Sequence, residues 1–258
     1  MGRRLGQHFL ARKSILDRIA AAAVNKNDAE REPLVVEIGP GRGGLTEALL
    51  DRAERVIAIE VDPVLVHYLQ HKFRDAVESG RLEIILADVL KADLSAWGPC
   101  AIAGNLPYYI TSPILDKVFD VGPNWSRAVF LVQSEVAARI AAQPGSRDYG
   151  YLSVSTQIQA HVERLFEVPR EAFKPPPKVL SEVIRLVPCE SPVKSVGSFR
   201  NFASVCFRHK RKTLRNNLAV VYGTERAEVL VCTVGDPRIR AEQLTIPDLV
   251  RLYEASHV

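Results

Sequence analysis

The sequence predicts an α/β fold with an open sheet, and three observations support this prediction. Four short apolar runs read as buried strands: Leu34–Ile38, Arg55–Glu60, Leu82–Asp88 and Cys100–Ala103. The first run leads into a glycine-rich loop, Gly39 to Gly44, that precedes a helix. Near Pro188 the composition changes, because proline, serine and glycine mark a linker before a basic region. In such sheets ligands bind beyond the carboxyl ends of the strands, so we expect the functional site there.

Length and composition indicate a folded protein. With 258 residues, 47% of them hydrophobic, the chain can form the core of one large domain or of one domain with a small partner. Its apolar runs are too short to cross a bilayer, and the N-terminus lacks the long apolar region of a signal peptide. We therefore expect a soluble, cytoplasmic monomer without a membrane partner. The cysteines are widely spaced, which predicts reduced thiols and no metal site: Cys100, Cys189, Cys206 and Cys232.

The loop after the first strand favours a nucleotide-like ligand. It satisfies the pattern GxGxxG through Gly39, Gly41 and Gly44, so a NAD-dependent dehydrogenase has to be considered. The carboxylate of Glu37, just before the loop, would face a bound pyrophosphate with the wrong sign. It tolerates the cationic methionine head group of S-adenosylmethionine, directly or through water. This acid moves the prediction away from a dinucleotide.

Polar residues also close the next three strands. Glu60 stands where an acid takes ribose hydroxyls, a feature that NAD enzymes share. Asp88 can accept a hydrogen bond from an adenine amino group, and Asn105 follows the fourth strand. A single strand-end acid is often only a helix cap. Together with Glu37, four such residues in register favour S-adenosylmethionine as the cofactor.

The stretch Gly104 to Tyr108 has the residue types that a planar, aminated base requires. The amide oxygen of Asn105 can accept from an amino group, Pro107 fixes the backbone so that a neighbouring carbonyl can accept another hydrogen, and Tyr108 offers a flat face. The alternative is an ordinary strand-to-helix turn before a helix that starts near Thr111.

Positive charge is concentrated near the C-terminus. The net charge is +4, yet residues 191–258 contain eleven Lys and Arg against six Asp and Glu, so residues 1–190 carry a net −1. The N-terminal segment 1–16 is also free of acids and reads as a basic arm. Five cations fall within ten residues: Arg208, Lys210, Arg211, Lys212 and Arg215. A solvated helix face and a phosphate-binding surface are both compatible with this run.

Together these motifs resemble a class I methyltransferase that acts on an adenine amino group. The flanking motifs are similar to those of the small-subunit ribosomal RNA adenine N6,N6-dimethyltransferase family, and the resemblance runs over nearly the whole chain. The segments that carry it are Gly6–Leu10, Glu37–Gly41, Asn105–Tyr108, Tyr149–Val154, Phe173–Val179 and Arg211–Leu218. Two departures are His8, where the family more often has Asn, and the segment 180–182, to which we assign no functional consequence.

The resemblance implies a two-domain architecture. It gives residues 1–188 a Rossmann-like, seven-stranded, mostly parallel sheet with a basic N-terminal arm. The last strand pair, antiparallel, is expected at Val162–Val168 and Glu182–Val187. Residues 189–258 become a small, basic helical domain that contacts RNA through the five cations named above.

The resemblance also implies the reaction and its residues. The enzyme would use S-adenosylmethionine to dimethylate the N6 amino groups of two adjacent adenosines near the 3′ end of small-subunit ribosomal RNA, with a role in subunit maturation. The residues expected to act on the adenine are Asn105, Leu106, Pro107, Tyr108 and, on the second face, Phe173. Those expected to bind the cofactor are His8, Leu10, Glu37, Gly39, Gly41, Glu60, Asp88 and Asn105. Gly104 is expected to leave room for a methylated amino group.

Two other classes of function stay open. A non-catalytic RNA-binding, ribosome-assembly or transcription factor could use the same surface, although the intact set of site residues argues against it. A large-subunit RNA methyltransferase of the macrolide-resistance type shares the catalytic motifs. The stretch Arg211–Leu218 and the pair Tyr149-Gly150 argue against that alternative.

Overall fold

The computed structural model describes residues 8–24, 31–122 and 124–256. Tertiary contacts divide the chain into an N-terminal unit, Met1–Ala137 with Glu163–Pro188, and a C-terminal unit, Ala138–Val162 with Cys189–Val258. The division near Pro188 lies where the composition changes. The segment 138–162, which the sequence analysis included in the first domain, belongs to the C-terminal unit instead.

Packing and hydrogen bonds explain that difference. The Gln157 amide donates to the carbonyls of Ile140 and Ala142, at 2.8 and 2.9 Å, which closes the segment on itself. Tyr149 and Val154 are buried in the same hydrophobic core as the helices that follow residue 195. The segment thus buries its apolar side chains with the C-terminal helices.

The helices and strands alternate through the N-terminal unit. In chain order the strands are β1 Phe9–Leu10, β2 Glu32–Ile38, β3 Ala53–Glu60, β4 Leu82–Leu86, β5 Cys100–Asn105, β6 Trp125–Gln133, β7 Ala160–Val168, β8 Phe173–Lys174 and β9 Ser181–Pro188. The helices are α1 Lys13–Ala23, α2 Gly44–Leu50, α3 Pro63–Lys72, α4 Arg74–Glu78, α5 Thr111–Phe119, α6 Ser134–Ala141, α7 Tyr151–Gln157, α8 Val196–Cys206, α9 Leu214–Tyr222, α10 Thr224–Cys232 and α11 Ile246–Ala255.

The large sheet has seven strands in the order β4-β3-β2-β5-β6-β9-β7. The pairs from β4 to β6 are parallel, and β6 pairs with β9 antiparallel. The strand order reverses between β2 and β5, which places a crevice at their carboxyl ends. The sequence analysis assigned no segment to β6, although the buried run from Ala128 to Val132 is a typical central strand.

Close packing between β2 and β5 depends on a glycine. A Cβ on Gly104 would lie 2.6 Å from the carbonyl oxygen of Ile38, which is too short for real contacts. Gly104 is buried in the sheet and is absent from the cavity wall described below. The expectation that it makes room for a methylated amino group stays a prediction; its small size brings the two site-bearing strands together.

A second, two-stranded sheet ties the N-terminal segment to the proline-rich segment. Strand β1 pairs antiparallel with β8, so that Phe9 faces Lys174 and Leu10 faces Phe173. The Ala11 N–H donates to the Ala172 carbonyl at 2.8 Å and extends this pairing. Residues 8–10 are thereby held as one wall of the site. Gly6 and Gln7, the start of the first recognised motif, lie outside the described residues.

The C-terminal unit has a helical core of its own. Phe199 of α8, Leu218 of α9, Leu230 of α10 and Leu249 of α11 are buried together. The Phe199 ring packs edge-on against Tyr253, with centroids 5.5 Å apart. Among the residues that the structure describes, no helix is both long and apolar enough to cross a membrane.

Candidate active site

A cavity of about 510 Å³ opens at the carboxyl ends of β2 to β5. The four predicted strand-end residues all line it, which confirms that the sheet brings them to one edge. The wall includes His8, Leu10, Glu37, Gly39, Gly41, Glu60, Asp88, Asn105, Leu106, Pro107, Tyr108 and Tyr109. In the described part of the chain, no cluster of three metal-ligating side chains occurs.

The glycine-rich loop can approach a ligand closely. Gly39 and Gly41 have φ angles of +68° and +57°, a region that strains other residues. A Cβ on Gly41 would also lie 3.0 Å from the Phe9 ring. Both glycines are therefore required by the turn, and they leave the backbone bare on the cavity side.

Glu60 braces this loop from the end of β3. One carboxylate oxygen accepts from the Gly41 N–H at 3.1 Å, and the other accepts from the Val61 and Asp62 N–H groups at 2.9 and 3.0 Å. The residue is 4% exposed. A carboxylate offers about four acceptor positions, so one remains for a ligand hydroxyl. Glu60 thus has a structural role that the sequence did not predict, in addition to lining the cavity.

Glu37 is a buried acid with one hydroxyl partner. Thr46, on α2, donates its hydroxyl to the Glu37 carboxylate at 2.6 Å. Burial, reinforced by the negative charge of Glu60, raises the pKa of Glu37 to about 7; the Thr46 bond and Lys72 oppose this rise. A cationic ligand in the cavity would therefore place a positive charge near the Glu37 carboxylate and favour its ionised form. Thr46 lies nine residues from Glu37 on another element, and sequence reasoning missed it.

Asp88 follows β4, which ends two residues earlier than predicted. Its side-chain oxygen accepts from the Leu90 N–H at 3.0 Å, in a local turn. The other carboxylate oxygen has no partner among residues 31–122. This is the arrangement of an acid that caps a turn and can also accept from a ligand amino group.

Asn105 has a fixed amide orientation. Its Nδ2 donates to the His8 carbonyl at 3.1 Å, across 97 residues of chain. The amide oxygen is thereby turned away from that carbonyl, and no donor of the described residues reaches it. The Leu106 carbonyl also accepts no hydrogen bond from the part of the chain that the structure describes, and the Leu106 side chain is buried. The two acceptors assigned from the sequence are therefore both available.

Pro107 shapes the turn that presents these acceptors. Its carbonyl accepts from the Ile110 N–H at 3.2 Å and from the Thr111 hydroxyl at 3.3 Å, which leads directly into α5. The turn thus uses the Pro107 carbonyl as its hydrogen-bond acceptor, and the Leu106 carbonyl remains available to a ligand.

The rings of Tyr108 and His8 lie near each other in the cavity wall. The Tyr108 hydroxyl bonds to the Ser181 hydroxyl at 2.7 Å, and burial raises the pKa of the tyrosine. The rings of His8 and Tyr108 have centroids 6.3 Å apart and planes inclined by 25°. Ser181 lies in the segment 180–182, to which no functional consequence was assigned from the sequence, and this hydrogen bond to Tyr108 was not predicted. Its neighbour Glu182 is also engaged, in a two-bond ion pair with Arg164.

Phe173 is not part of the cavity. It is 1% exposed and packs in the hydrophobic core of the N-terminal unit, with its backbone paired to Leu10. The stacking role on the second face of the base, which the family resemblance assigned to Phe173, stays a prediction.

The basic run forms the loop between α8 and α9, not a helix face. Arg208, Lys210, Arg211 and Lys212 are exposed there. Lys210 donates to the Arg147 carbonyl, and this contact ties the loop to the segment 138–162. Arg215, on α9, is different because it pairs with Glu228. Four of the five cations predicted to contact RNA are thus exposed, and the fifth, Arg215, is paired with an acid of the same unit.

Asn217 holds this basic loop in shape. Its Nδ2 donates to the carbonyls of Cys206 and His209, at 2.9 and 3.2 Å, and its oxygen accepts from the His209 N–H at 3.2 Å. The residue is 1% exposed. Asn217 falls within the stretch Arg211–Leu218, but its sequence context predicted no structural role for it. The available indication was an asparagine next to a run of cations.

Comparison with known proteins identifies the family. The sequence profile of ribosomal RNA adenine dimethylase matches residues 2–256. This chain belongs to the ribosomal RNA adenine dimethylase family. It is 41% identical, over 272 aligned residues, to ribosomal RNA small subunit methyltransferase A of Levilactobacillus brevis, with 98% of this chain and 89% of that protein covered.

Two solved structures share the fold of this family member over its whole length. A dimethyladenosine transferase from Plasmodium falciparum superposes with a TM-score of 0.79 at 27% identity, covering 95% of this chain and 96% of that one. The 23S rRNA methyltransferase ErmE superposes with a TM-score of 0.70 at 29% identity, covering 97% and 100%. The chain is thus a class I methyltransferase by fold as well as by sequence, and S-adenosylmethionine is the cofactor of that class.

Proposed function

We propose that this protein dimethylates the N6 amino groups of two adjacent adenosines near the 3′ end of small-subunit ribosomal RNA, in an assembling small subunit. The observation that carries the proposal is the hydrogen bonding of Asn105, a residue of the cavity wall, whose amide nitrogen donates to His8 while no described residue donates to its oxygen. An open acceptor at this position suits an amino group. The match with small subunit methyltransferase A supplies the choice of RNA.

The residues that line the cavity suit S-adenosylmethionine in charge and in hydrogen bonding. Glu60 would hold one ribose hydroxyl, Asp88 the adenine amino group and Glu37 the cationic end, while Gly39 and Gly41 leave space for close approach. Leu10 supplies an apolar wall, and His8 lies beside it. When bound, S-adenosylmethionine supplies a methyl group on a positively charged sulfur. Its positive charge meets two buried acids here, which favours the fit.

The chain's own residues activate the amino group. The nitrogen lone pair of adenine is delocalised into the ring, so the nitrogen is a poor nucleophile until its hydrogens are held out of the ring plane. The Asn105 oxygen and the Leu106 carbonyl accept those two hydrogens, and Tyr108 stacks on the base. No strong base is required, since the proton leaves to solvent after transfer.

The target adenosine has to leave its stack to enter the cavity, so unpaired or loosely paired RNA is the natural substrate. The exposed cations of the loop 207–213 carry positive charge that is available to surrounding phosphates. We propose that the protein acts as a monomer in the cytoplasm; sedimentation of the pure protein, alone and with subunits, tests the monomer.

The deciding experiment offers two purified substrates, unmethylated small subunits and large subunits, with labelled S-adenosylmethionine. We expect label in the small subunit alone, recovered as N6,N6-dimethyladenosine at two adjacent positions near the 3′ end. Label in the large subunit would favour the second candidate function, that of a 23S rRNA methyltransferase such as ErmE, to which this chain is 29% identical. Binding to small subunits without transfer would favour an assembly factor.

A further inference from the structure

Arg42 is the only lysine or arginine in the described wall of the cavity. The same wall contains three acids, Glu37, Glu60 and Asp88. In the proposed function, on which this inference rests, these acids take the cationic end, a ribose hydroxyl and the adenine amino group of S-adenosylmethionine. The methionine end of that cofactor also carries a carboxylate. A wall rich in acids requires a cation where this carboxylate binds, since like charges at close range destabilise a complex.

The Arg42 side chain is placed against the cavity by an aromatic contact. Its guanidinium carbon lies 4.9 Å from the centroid of the Phe9 ring, and Phe9 is itself part of the cavity wall. The residue is exposed, and its guanidinium pairs with no acid of the described residues. A guanidinium has five N–H donors, so a contact with one ring leaves donors available for an anion.

The backbone at Arg42 is fixed by Lys72 of α3. The Lys72 ammonium donates to the carbonyls of Arg42 and Gly43, at 3.2 and 3.4 Å, and pairs with Glu47 at 3.6 Å. The Gly43 N–H donates to the Pro40 carbonyl at 2.8 Å, which closes the turn. The loop thus holds Arg42 in a defined position, which lowers the entropy lost when an anion binds.

His8 is the weaker candidate for the same carboxylate. Its Nδ1 lies 2.8 Å from the Pro175 carbonyl, and because a carbonyl only accepts, Nδ1 donates the hydrogen. Only Nε2 therefore remains for a ligand. The Arg42 guanidinium can instead present two parallel N–H donors, which match the two oxygens of a carboxylate.

We propose that the Arg42 guanidinium binds the methionine carboxylate of S-adenosylmethionine, while Glu37 faces its ammonium group. Glu37 and Arg42 lie on either side of the turn at Gly39 and Gly41, so one loop offers opposite charges to a zwitterion. Arg42 was not among the residues that the sequence assigned to the cofactor. With this contact the cavity discriminates against adenosine derivatives that lack an amino acid carboxylate.

Calorimetry with two ligands tests the contact. S-adenosylmethionine and its decarboxylated analogue differ only in the carboxylate, so the ratio of their affinities reports on the partner of that group. In Arg42→Gln this ratio should fall about tenfold, at the lower end for a charge-assisted hydrogen bond because solvent reaches the guanidinium. Affinity for the analogue should stay parental. Arg42→Lys keeps the charge but not the two parallel donors, so its ratio should lie between those of the parent and Arg42→Gln.

Arg12→Gln is the matched control, because it removes an exposed cation of the same unit that does not line the cavity. It should keep the parental ratio; an equal fall would attribute the effect to the summed field of the cations and overturn the contact. Equal losses of both ligands in Arg42→Gln would also overturn it, in favour of a role in the shape of the loop.

Two further outcomes separate this contact from the proposed function. A parental ratio in Arg42→Gln, with a lower salt slope of subunit binding, would overturn the contact and assign Arg42 to an RNA phosphate. A parent that binds neither ligand would overturn the cofactor placement in the proposed function. A parent that binds both, with the same ratio as Arg42→Gln, overturns the role of Arg42 alone.

Discussion

Two asparagines show how the cavity of the N-terminal unit differs from the basic loop of the C-terminal unit. Asn217 uses both ends of its amide, with two carbonyls on the nitrogen and one N–H on the oxygen, so its whole hydrogen-bonding capacity near the loop is structural. Asn105, in the cavity wall, uses only its nitrogen, and its oxygen accepts from no described residue. An amide that is fixed in orientation but only partly hydrogen-bonded within the protein thus indicates a ligand site. An amide whose hydrogen bonds are all made within the protein indicates a structural role.

The same contrast extends to the charges. The acids Glu37 and Glu60 are buried and hydrogen-bonded, so each carboxylate has one defined position. Replacing either side chain therefore has a large free-energy cost. The cations of the loop are exposed and act through their summed field, which salt screens. Substitutions in the cavity should therefore change chemistry or cofactor binding sharply, and substitutions in the loop should change RNA binding gradually.

Asn105→Ala should have the largest effect. Its oxygen acts on the amino group as the nitrogen becomes tetrahedral, so the loss should be about 10² to 10³ in single-turnover rate, or about 2.7 to 4 kcal/mol. Cofactor affinity should fall only modestly, and subunit binding should persist. Asn217→Ala is the matched control: it should destabilise the protein by about 1 to 3 kcal/mol and leave the rate at saturating subunit unchanged. A rate for Asn105→Ala within a few-fold of the parent would contradict the mechanism.

Glu60→Ala should lower S-adenosylmethionine affinity at least about tenfold, since charge-assisted hydrogen bonds contribute roughly 1.5 to 3 kcal/mol. The structure adds a second effect, because three backbone N–H groups lose their acceptor. Glu60→Gln keeps an acceptor and should lose less on both measures. Calorimetry and thermal unfolding check these outcomes. Parental cofactor affinity in Glu60→Ala would mean that the ribose is held elsewhere.

Glu37 should make cofactor binding dependent on pH. With a pKa of about 7 in the free protein, the acid is largely protonated at pH 5.5 and half ionised at pH 7. A cationic ligand favours the ionised form, so affinity should rise on the order of tenfold between these values. The ligand's own amino group stays protonated over this range. Glu37→Gln should show a flat profile in calorimetry, and a flat profile in the parent would contradict the prediction.

The same acid should affect stability in the opposite direction. The raised pKa means that the folded protein binds a proton that the unfolded chain has released above about pH 4.3. The stability of the free protein should therefore decrease as pH rises from there to about 7, and remain constant beyond, with a total on the order of 3 kcal/mol. Glu37→Gln removes this dependence, which denaturant titrations at several pH values would show.

Some of the site follows from the sequence because its signals are local. A polar residue that follows an apolar run is recognised without knowing the fold, and parallel strands bring such residues to one edge; Glu37, Glu60, Asp88 and Asn105 were found in this way. The site partners were missed because they come from distant parts of the chain. Tyr108 and Ser181 are 73 residues apart, and His8 and Pro175 are 167 apart.

The burial of Phe173 has a related physical origin. A motif gives the residue type, but its rotamer and burial are set by packing, and here Phe173, whose backbone pairs with Leu10, lies in the core. The segment 138–162 illustrates the same limit at the level of domains, since its apolar side chains could pack on either unit. Neither periodicity nor composition distinguishes these alternatives.

The smallest effects should come from single cations of the basic loop. Arg211→Ala or Lys212→Ala, one at a time, should lower the logarithmic salt slope of subunit binding by about 0.7 for each lost phosphate contact, which is about fivefold in affinity at 0.1 M salt. Arg215→Ala, whose guanidinium pairs with Glu228, should change the slope less. Cofactor affinity should be the same in all three variants. If the salt slope is unaltered in both Arg211→Ala and Lys212→Ala, the loop is a solvated surface that does not contact RNA. If Arg215→Ala changes the slope by the same amount, the ion pair with Glu228 does not prevent Arg215 from contacting RNA.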